Sequence, residues 1–346
     1  MRPRRPDTSP PPPLVGNLVG DPVGAARGSH RGRGAGRGDG LAPLRVALIN
    51  NMPEAAFADT DHQFSRLLAG GQPGHAIDIR RYSIPVGVAR ELPRNYLPLD
   101  HLFEHPPDAL VLTGSKPQCT NLRDERIWSG LETVIRWAET SVSSALLSCL
   151  ASHAALLTLD GIGRTPLETK LSGVYDQQVD ATHPITASMD NVAFPHSRLN
   201  DVPAAVVKRH GYAVPIRSEK IGWTVAVRDR GCLFVLLQGH PEYSAGALLK
   251  EYRRDVRSYL EGGRSQYPRI PVHYFSAGAV KELEGFKRMA TSGTAHPGLM
   301  SEFPFASAAK GINYVWERPA QQLFAGWLAE VRRRQALSAA SLRAPL

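Results

Sequence analysis

Two hydrophobic rhythms alternate along the chain. "LRVALINNM" (44–52) is an apolar, β-branched run that ends in polar residues, the pattern of a strand. "TDHQFSRLLAG" (60–70) then brings Phe64, Leu67 and Leu68 to helical spacing and stops at Gly70. "AIDIRRYSI" (76–84) alternates like a strand, and "PDALVLTGS" (107–115) is a short apolar run closing on Thr-Gly, as a strand buried on both faces does. "RIWSGLETVIRWAET" (126–140) is helical through Ile127, Leu131, Val134, Ile135 and Trp137. "SALLSC" (144–149) reads as another buried strand, and "LASHAALLTLDGIG" (150–163) as a helix closed by Gly161. Strands alternating with helices imply parallel pairing through right-handed crossovers. The pattern predicts an α/β fold, a doubly wound and mostly parallel sheet flanked by helices.

Residues 161–232 are less regular and predict β-hairpins. "CLFVLLQGHPEY" (232–243) is a strong apolar strand running into Gly-His-Pro-Glu. "AGALLKEYRRDVRSYL" (245–260) is an amphipathic helix with Leu248, Tyr252, Val256 and Tyr259 on one face. Residues 276–312 read as irregular, and "WERPAQQLFAGWLAEVRRR" (316–334) as a closing helix. The first 40 residues are dense in Pro, Gly and Arg and hold too little apolar surface to offset their chain entropy. The expected organisation is therefore a disordered tail over 1–40, one catalytic α/β domain over 41–335, and a flexible tail over 336–346.

Composition narrows the class. Of 346 residues, 42% are hydrophobic, which suits a globular protein, and no apolar run reaches the roughly 20 residues that span a bilayer. The arginines near the N-terminus have no apolar stretch after them, so no secretory signal is expected. Cys119, Cys149 and Cys232 are too widely spaced for a disulfide framework or a zinc cluster, so a reducing, cytoplasmic setting is expected. The net charge of +9 suggests nucleic acid until it is located: seven Arg against three Asp in residues 1–40 supply +4 of it. The rest carries a mild excess with no basic helix interleaved with aromatics, so no nucleic-acid partner is expected.

Cys149 stands where an apolar strand gives way to a helix. In an open α/β sheet, functional groups gather beyond the carboxyl ends of strands. If the helix starts at Leu150, its free N–H groups favour a thiolate at Cys149, and the Leu150 N–H faces a developing oxyanion. "QGHPEY" sets His240 and Glu242 two residues apart past another buried strand, where an extended backbone points both the same way. Pro241 stiffens the link. Thiol, imidazole and carboxylate together make a Cys–His–Glu triad. The blander alternatives are a buried structural cysteine and a surface turn.

The ordered phrases "LINNMPEAAFADTDHQFSRLL", "ALVLTGS", "TSVSSALLSCLASHAAL", "LETKLSGVY", "FPHSR" and "GHPEYSAGALLKEYRRD" resemble the homoserine O-acyltransferases of the succinyltransferase type, relatives of the class I glutamine amidotransferases. The resemblance covers roughly residues 41–275, with "WERPAQQLFAGWL" similar to the family's C-terminal helix. It implies that Cys149 is the acyl-thioester nucleophile, His240 the general base and Glu242 its partner. Lys170, Ser197 and Arg254 match substrate-binding positions, Arg254 holding the acceptor's carboxylate. The implied reaction moves an acyl group from acyl-CoA, a co-substrate, through Cys149 to the hydroxyl of L-homoserine, in methionine biosynthesis. It needs no metal and no bound cofactor, and the implied assembly is a homodimer.

The sequence also departs from the family. "TGSKPQC" puts Gln118 where the family has the Gly or Glu linked to succinyl or acetyl choice; neutral Gln118 favours succinyl. The cysteine is followed by Leu150 instead of Trp, and "WERP" replaces "WRSH". These leave serine open as the acceptor. A glutamine amidotransferase or glutaminase would use the same triad, but normally wraps its cysteine in glycines, whereas Ser148, Leu150 and Ala151 surround Cys149. A non-catalytic binding protein on the same shell has no need of all three triad groups.

Overall fold

The computed structural model describes residues 42–70, 76–86, 92–190, 192–293 and 296–343. The expected tail over 1–40 lies outside them. The first half runs β1 (Leu44–Ile49), α1 (Glu54–Gly70), β2 (Ile77–Tyr82), α2 (Leu99–Glu104), β3 (Ala109–Leu112), α3 (Trp128–Ser141), β4 (Ser144–Ser148) and α4 (Leu150–Asp160). Then come β5 (Thr165–Val179), β6 (Val192–Asp201), α5 (Ala204–Arg209), β7 (Ala213–Ser218), β8 (Gly222–Arg230) and β9 (Cys232–Leu237). The chain closes with α6 (Ala247–Leu260), α7 (Ala277–Ala290), α8 (Phe305–Lys310) and α9 (Glu317–Arg343).

The strands form one sheet in the order β2-β1-β3-β4-β9-β8-β7-β5-β6. From β2 to β9 every pairing is parallel; from β9 outward every pairing is antiparallel. The doubly wound parallel half is thus as the apolar runs predict, and the hairpins expected over 161–232 are its antiparallel extension. Period-two alternation sends Leu44, Val46, Leu48, Val111, Leu146 and Val235 to one face, where they pack on α1, α6, α7 and α9. Ala47, Ile49, Leu112, Leu147, Phe234 and Leu236 go to the other face, under α3 and α4. A strand with both faces buried must read as a continuous apolar run, which is why these strands are legible in the sequence.

Three elements differ from the sequence reading. Helix α1 starts at Glu54, not Thr60, because Pro53 opens it and Ala55, Ala56 and Phe57 continue it. Residues 276–312, expected to be irregular, contain α7 and α8: Ser276 caps α7 by accepting from Ala279 N–H, and Ala279, Leu283, Phe286 and Ala290 supply a buried stripe. Helix α9 continues to Arg343, so residues 336–343 of the expected tail are helical. Among the described residues no helix is long and apolar enough to cross a membrane.

Candidate active site

In the parallel register Ser148, the last residue of β4, lies beside Leu237, the last of β9. The two strands therefore release Cys149 and the 238–242 segment side by side. Cys149 is the N-terminal cap of α4 with φ 54° and ψ −112°, an unusual backbone for a residue with a side chain. Its own N–H donates to Leu237 O at 2.7 Å, and Ser152 Oγ donates to Leu147 O and Leu237 O at 2.7 and 2.8 Å. These bonds tie the strand ends to the first turn of α4 and hold the turn against relaxation. Gly114, after β3, passes so close that a Cβ there would stand 2.9 Å from Leu150 N. Only glycine leaves that N–H accessible from the cleft.

His240 N–H donates to Pro195 O at 2.7 Å, which anchors the segment to β6. Its Nδ1 bonds Glu242 Oε1 at 2.7 Å, and Ser148 Oγ donates to the same oxygen at 3.2 Å. The imidazole stacks on the Tyr243 ring, centroids 4.2 Å apart. Nε2 is buried with no hydrogen-bond partner, and the Cys149 sulfur lies within electrostatic reach of the ring. Burial alone would push the imidazolium's pKa down; the Glu242 carboxylate and then the Cys149 charge outweigh it and hold it well above the ordinary histidine value. Two neighbouring strand ends thus bring Cys149, past β4, and the bonded His240–Glu242 pair, past β9, to the same cleft.

Cys149, His240 and Glu242 line a cleft of about 360 Å³ together with Lys170, Ser197 and Arg254. Lys170 Nζ donates to Glu251 Oε2 and Asp255 Oδ2, each at 2.9 Å. Ser197 Oγ donates to Glu251 Oε2, and Tyr243 OH to Glu251 Oε1 at 2.6 Å. Burial works against Glu251 ionising, but Lys170, Ser197 and Tyr243 together hold its carboxyl at about 2. Arg254 is 54% exposed and reaches Asp255 Oδ1 at 3.3 Å. The sequence reading missed Glu251, Asp255 and Tyr243, although all three sit inside the quoted phrase "GHPEYSAGALLKEYRRD". The available signal was the i, i+4 spacing of the two carboxylates, which puts them on one face of α6.

Two other expectations need placing. The Leu150 N–H does stand at the first turn of α4, as the oxyanion role requires. Gln118 is exposed and absent from the cleft lining, which from this loop takes Ser115, Lys116 and Pro117. The reason is the buried Glu125, whose Oε1 accepts from both Gln118 N–H and Cys119 N–H at 2.9 Å and turns the loop away. His153, one helical turn after Cys149, also lines the cleft; burial lowers its pKa to about 4, so it is neutral. Among the described residues no group of three or more His, Cys, Asp or Glu is placed to hold a metal ion.

The family model described as homoserine O-succinyltransferase matches residues 33–336. The homoserine O-succinyltransferase of Methylorubrum extorquens is 40% identical over 304 residues, covering 86% of this chain and 89% of the relative. That of Bradyrhizobium japonicum is 39% identical over 272 residues, 75% of this chain and 82% of the relative. Among solved structures, a glutamine amidotransferase from Thermotoga maritima is similar at 13% identity and a TM-score of 0.42, over 84% of this chain and 99% of that one, too remote a likeness to bear on chemistry.

Proposed function

The chain belongs to the homoserine O-succinyltransferase family, and on that premise we propose that it moves a succinyl group from succinyl-CoA, through a thioester on Cys149, to the hydroxyl of L-homoserine. The product is an O-acyl ester activated for sulfur replacement, as methionine biosynthesis requires. The observation that carries this reading is the thiol at the strained N-terminus of α4 beside an imidazole already bonded to a carboxylate. All three cysteines are free thiols, which suits the reducing cytoplasm.

In the resting site His240 is the imidazolium, kept so by Glu242 and by the charge on Cys149. The Cys149 thiolate attacks the thioester carbonyl, and the Leu150 N–H stabilises the oxyanion. Collapse breaks the bond to CoA, whose thiolate takes the His240 proton and leaves as the thiol. Acylation removes the negative charge on the Cys149 sulfur, so one of the two influences that kept the ring protonated is gone and His240 becomes a base. The homoserine hydroxyl gives its proton to His240 as its oxygen attacks the acyl carbon. The ester forms, the carbon–sulfur bond breaks, and the thiolate–imidazolium pair returns.

The acceptor is a zwitterion, and the cleft meets both its charges. Arg254 offers a planar fork for the carboxylate, while Glu251 and Asp255 offer negative charge for the ammonium. Purified protein with a panel of acyl-CoA donors and hydroxy amino acids tests the reading. CoA thiol release that requires homoserine is the expected result, and Cys149→Ala should lower it by about 10⁴-fold or more, as loss of a covalent nucleophile does. Ammonia release from glutamine, with no acyl transfer, would overturn it.

A further inference from the structure

Arg164 is a buried cation in the cleft for which the transfer steps have no use. It lies just before β5 and lines the cleft with Cys149, yet its side chain is only 4% exposed. Its Nη2 donates to Cys119 O at 2.9 Å and Thr120 O at 3.5 Å and pairs at 3.7 Å with buried Glu125, whose Oε1 also accepts from two backbone N–H groups. Its Nε is buried with no hydrogen-bond partner. Arg198, another buried guanidinium in the cleft, shares the unpartnered Nε but has both terminal nitrogens taken, by Asp201 and by Ile221 O. Burial lowers the Arg164 pKa, while Glu125 and then Cys149 and Cys119 raise it, which puts the nucleophile within its electrostatic reach. Glu125 meets part of the charge, and the buried Nε–H left unused is the donor that an anion entering the cleft completes.

The phosphates of CoA lie a whole pantetheine arm from the thioester, so an anion next to the acyl carbon comes only from a half-dicarboxylate acyl group. With the thioester carbonyl at Cys149, a succinyl group puts its far carboxylate three carbon–carbon bonds away, about 4 Å. The acceptor groups make their own contacts: Lys170 and Ser197 bond Glu251, and Arg254 reaches Asp255, none of them to Arg164. The cleft thus holds, with Cys149, a cation outside the contact network proposed to meet the amino acid.

We propose that Arg164 is the residue that selects the acyl donor, its guanidinium binding the far carboxylate of a dicarboxylic monothioester while the thioester carbonyl sits at Cys149. This deepens the acyl-transfer reading above and rests on it, and it moves donor choice from exposed Gln118 to a residue that lines the cleft.

The test compares succinyl-CoA, its neutral amide isostere succinamyl-CoA, and acetyl-CoA, each with homoserine, in the wild-type protein, Arg164→Gln and Arg164→Lys. In the wild type, kcat/KM should fall at least tenfold from succinyl to succinamyl donor. Arg164→Gln should lose at least tenfold on succinyl-CoA with less than threefold change on the two donors whose acyl groups are neutral, and Arg164→Lys should recover part of the loss. Equal wild-type rates on the charged and amide donors would overturn the proposal, as would an equal loss on all three donors in Arg164→Gln, the signature of a residue that only supports the Cys119 loop. The wild-type comparison and the Lys variant decide the matter even if the Gln variant fails to fold. Absence of transfer from every donor in the wild type would overturn the acyl-transfer reading itself, and this proposal with it.

Discussion

Cys149 occupies backbone angles that cost a residue with a Cβ of order 1–3 kcal/mol. The bonds from Cys149 N and Ser152 Oγ to the ends of β4 and β9 keep it there. Glycine carries no such penalty. Cys149→Gly should therefore be more stable than Cys149→Ala by about 1 kcal/mol in denaturant unfolding, with both inactive; an alanine variant as stable as the glycine one would remove strain from the picture. At His240 the sign is fixed by its neighbours. Glu242→Gln removes the nearest negative charge, so the imidazolium should lose its proton at lower pH than in the wild type. Ring-proton chemical shifts followed against pH read this directly, and an unmoved or upward midpoint would exclude Glu242 as the group that holds the ring charged. Residue identity made the shared position of Cys149, His240 and Glu242 legible, because a lone thiol and a His-x-Glu each follow a buried strand. Arg164 and Glu251 were not legible: each is a charged residue in a stretch that reads as solvated, and only contacts with distant segments bury it.

At the scale of elements, legibility followed burial on both faces. Strands β3 and β9 are apolar throughout, and β1 and β4 nearly so, broken only by Arg45 and by the serines that bound β4, because helices cover both sides of the sheet. Strands β5 and β6 pair with a register shift between Pro166 and Leu171, and β5 exposes many of its residues, so their pattern is broken. Helix α7 escaped notice because charges and Gly285 separate its buried positions. The long closing helix α9 is fixed by close approach as well as by apolar area. A Cβ on Gly326 would stand 2.1 Å from the carbonyl oxygen of Ile185, which is backbone and cannot rotate away. Gly326→Ala should destabilise the fold by about 1–3 kcal/mol. A thermal midpoint equal to that of the wild type would show that α9 does not seat on the 185 loop as described.

The described residues build one sheet with two apolar cores and a charged cleft at the carboxyl ends of its central strands, and that cleft makes stability depend on pH. Glu251 titrates at about 2 in the fold, against an ordinary glutamate value of 4.5 when unfolded. Its contribution is therefore present above pH 4.5 and lost as pH falls toward about 2. His240 has the opposite sign: its raised pKa contributes stability fully below 6.5, lost as pH rises through the folded value. The stability gap between the wild type and Glu251→Gln should shrink as the pH of the melts is taken from 5 toward about 2. A gap that stays constant or widens would mean that Glu251 is not the carboxylate clamped by Lys170, Ser197 and Tyr243.

The most direct measurement is intact-protein mass spectrometry of the wild type and Cys149→Ala after brief exposure to succinyl-CoA, before and after homoserine is added. The expected result is a single succinyl adduct that maps to Cys149, is absent from the alanine variant, and disappears as O-succinylhomoserine forms. An adduct on another residue, or ester formation at the wild-type rate without the thiol, would show that sulfur does not carry the acyl group.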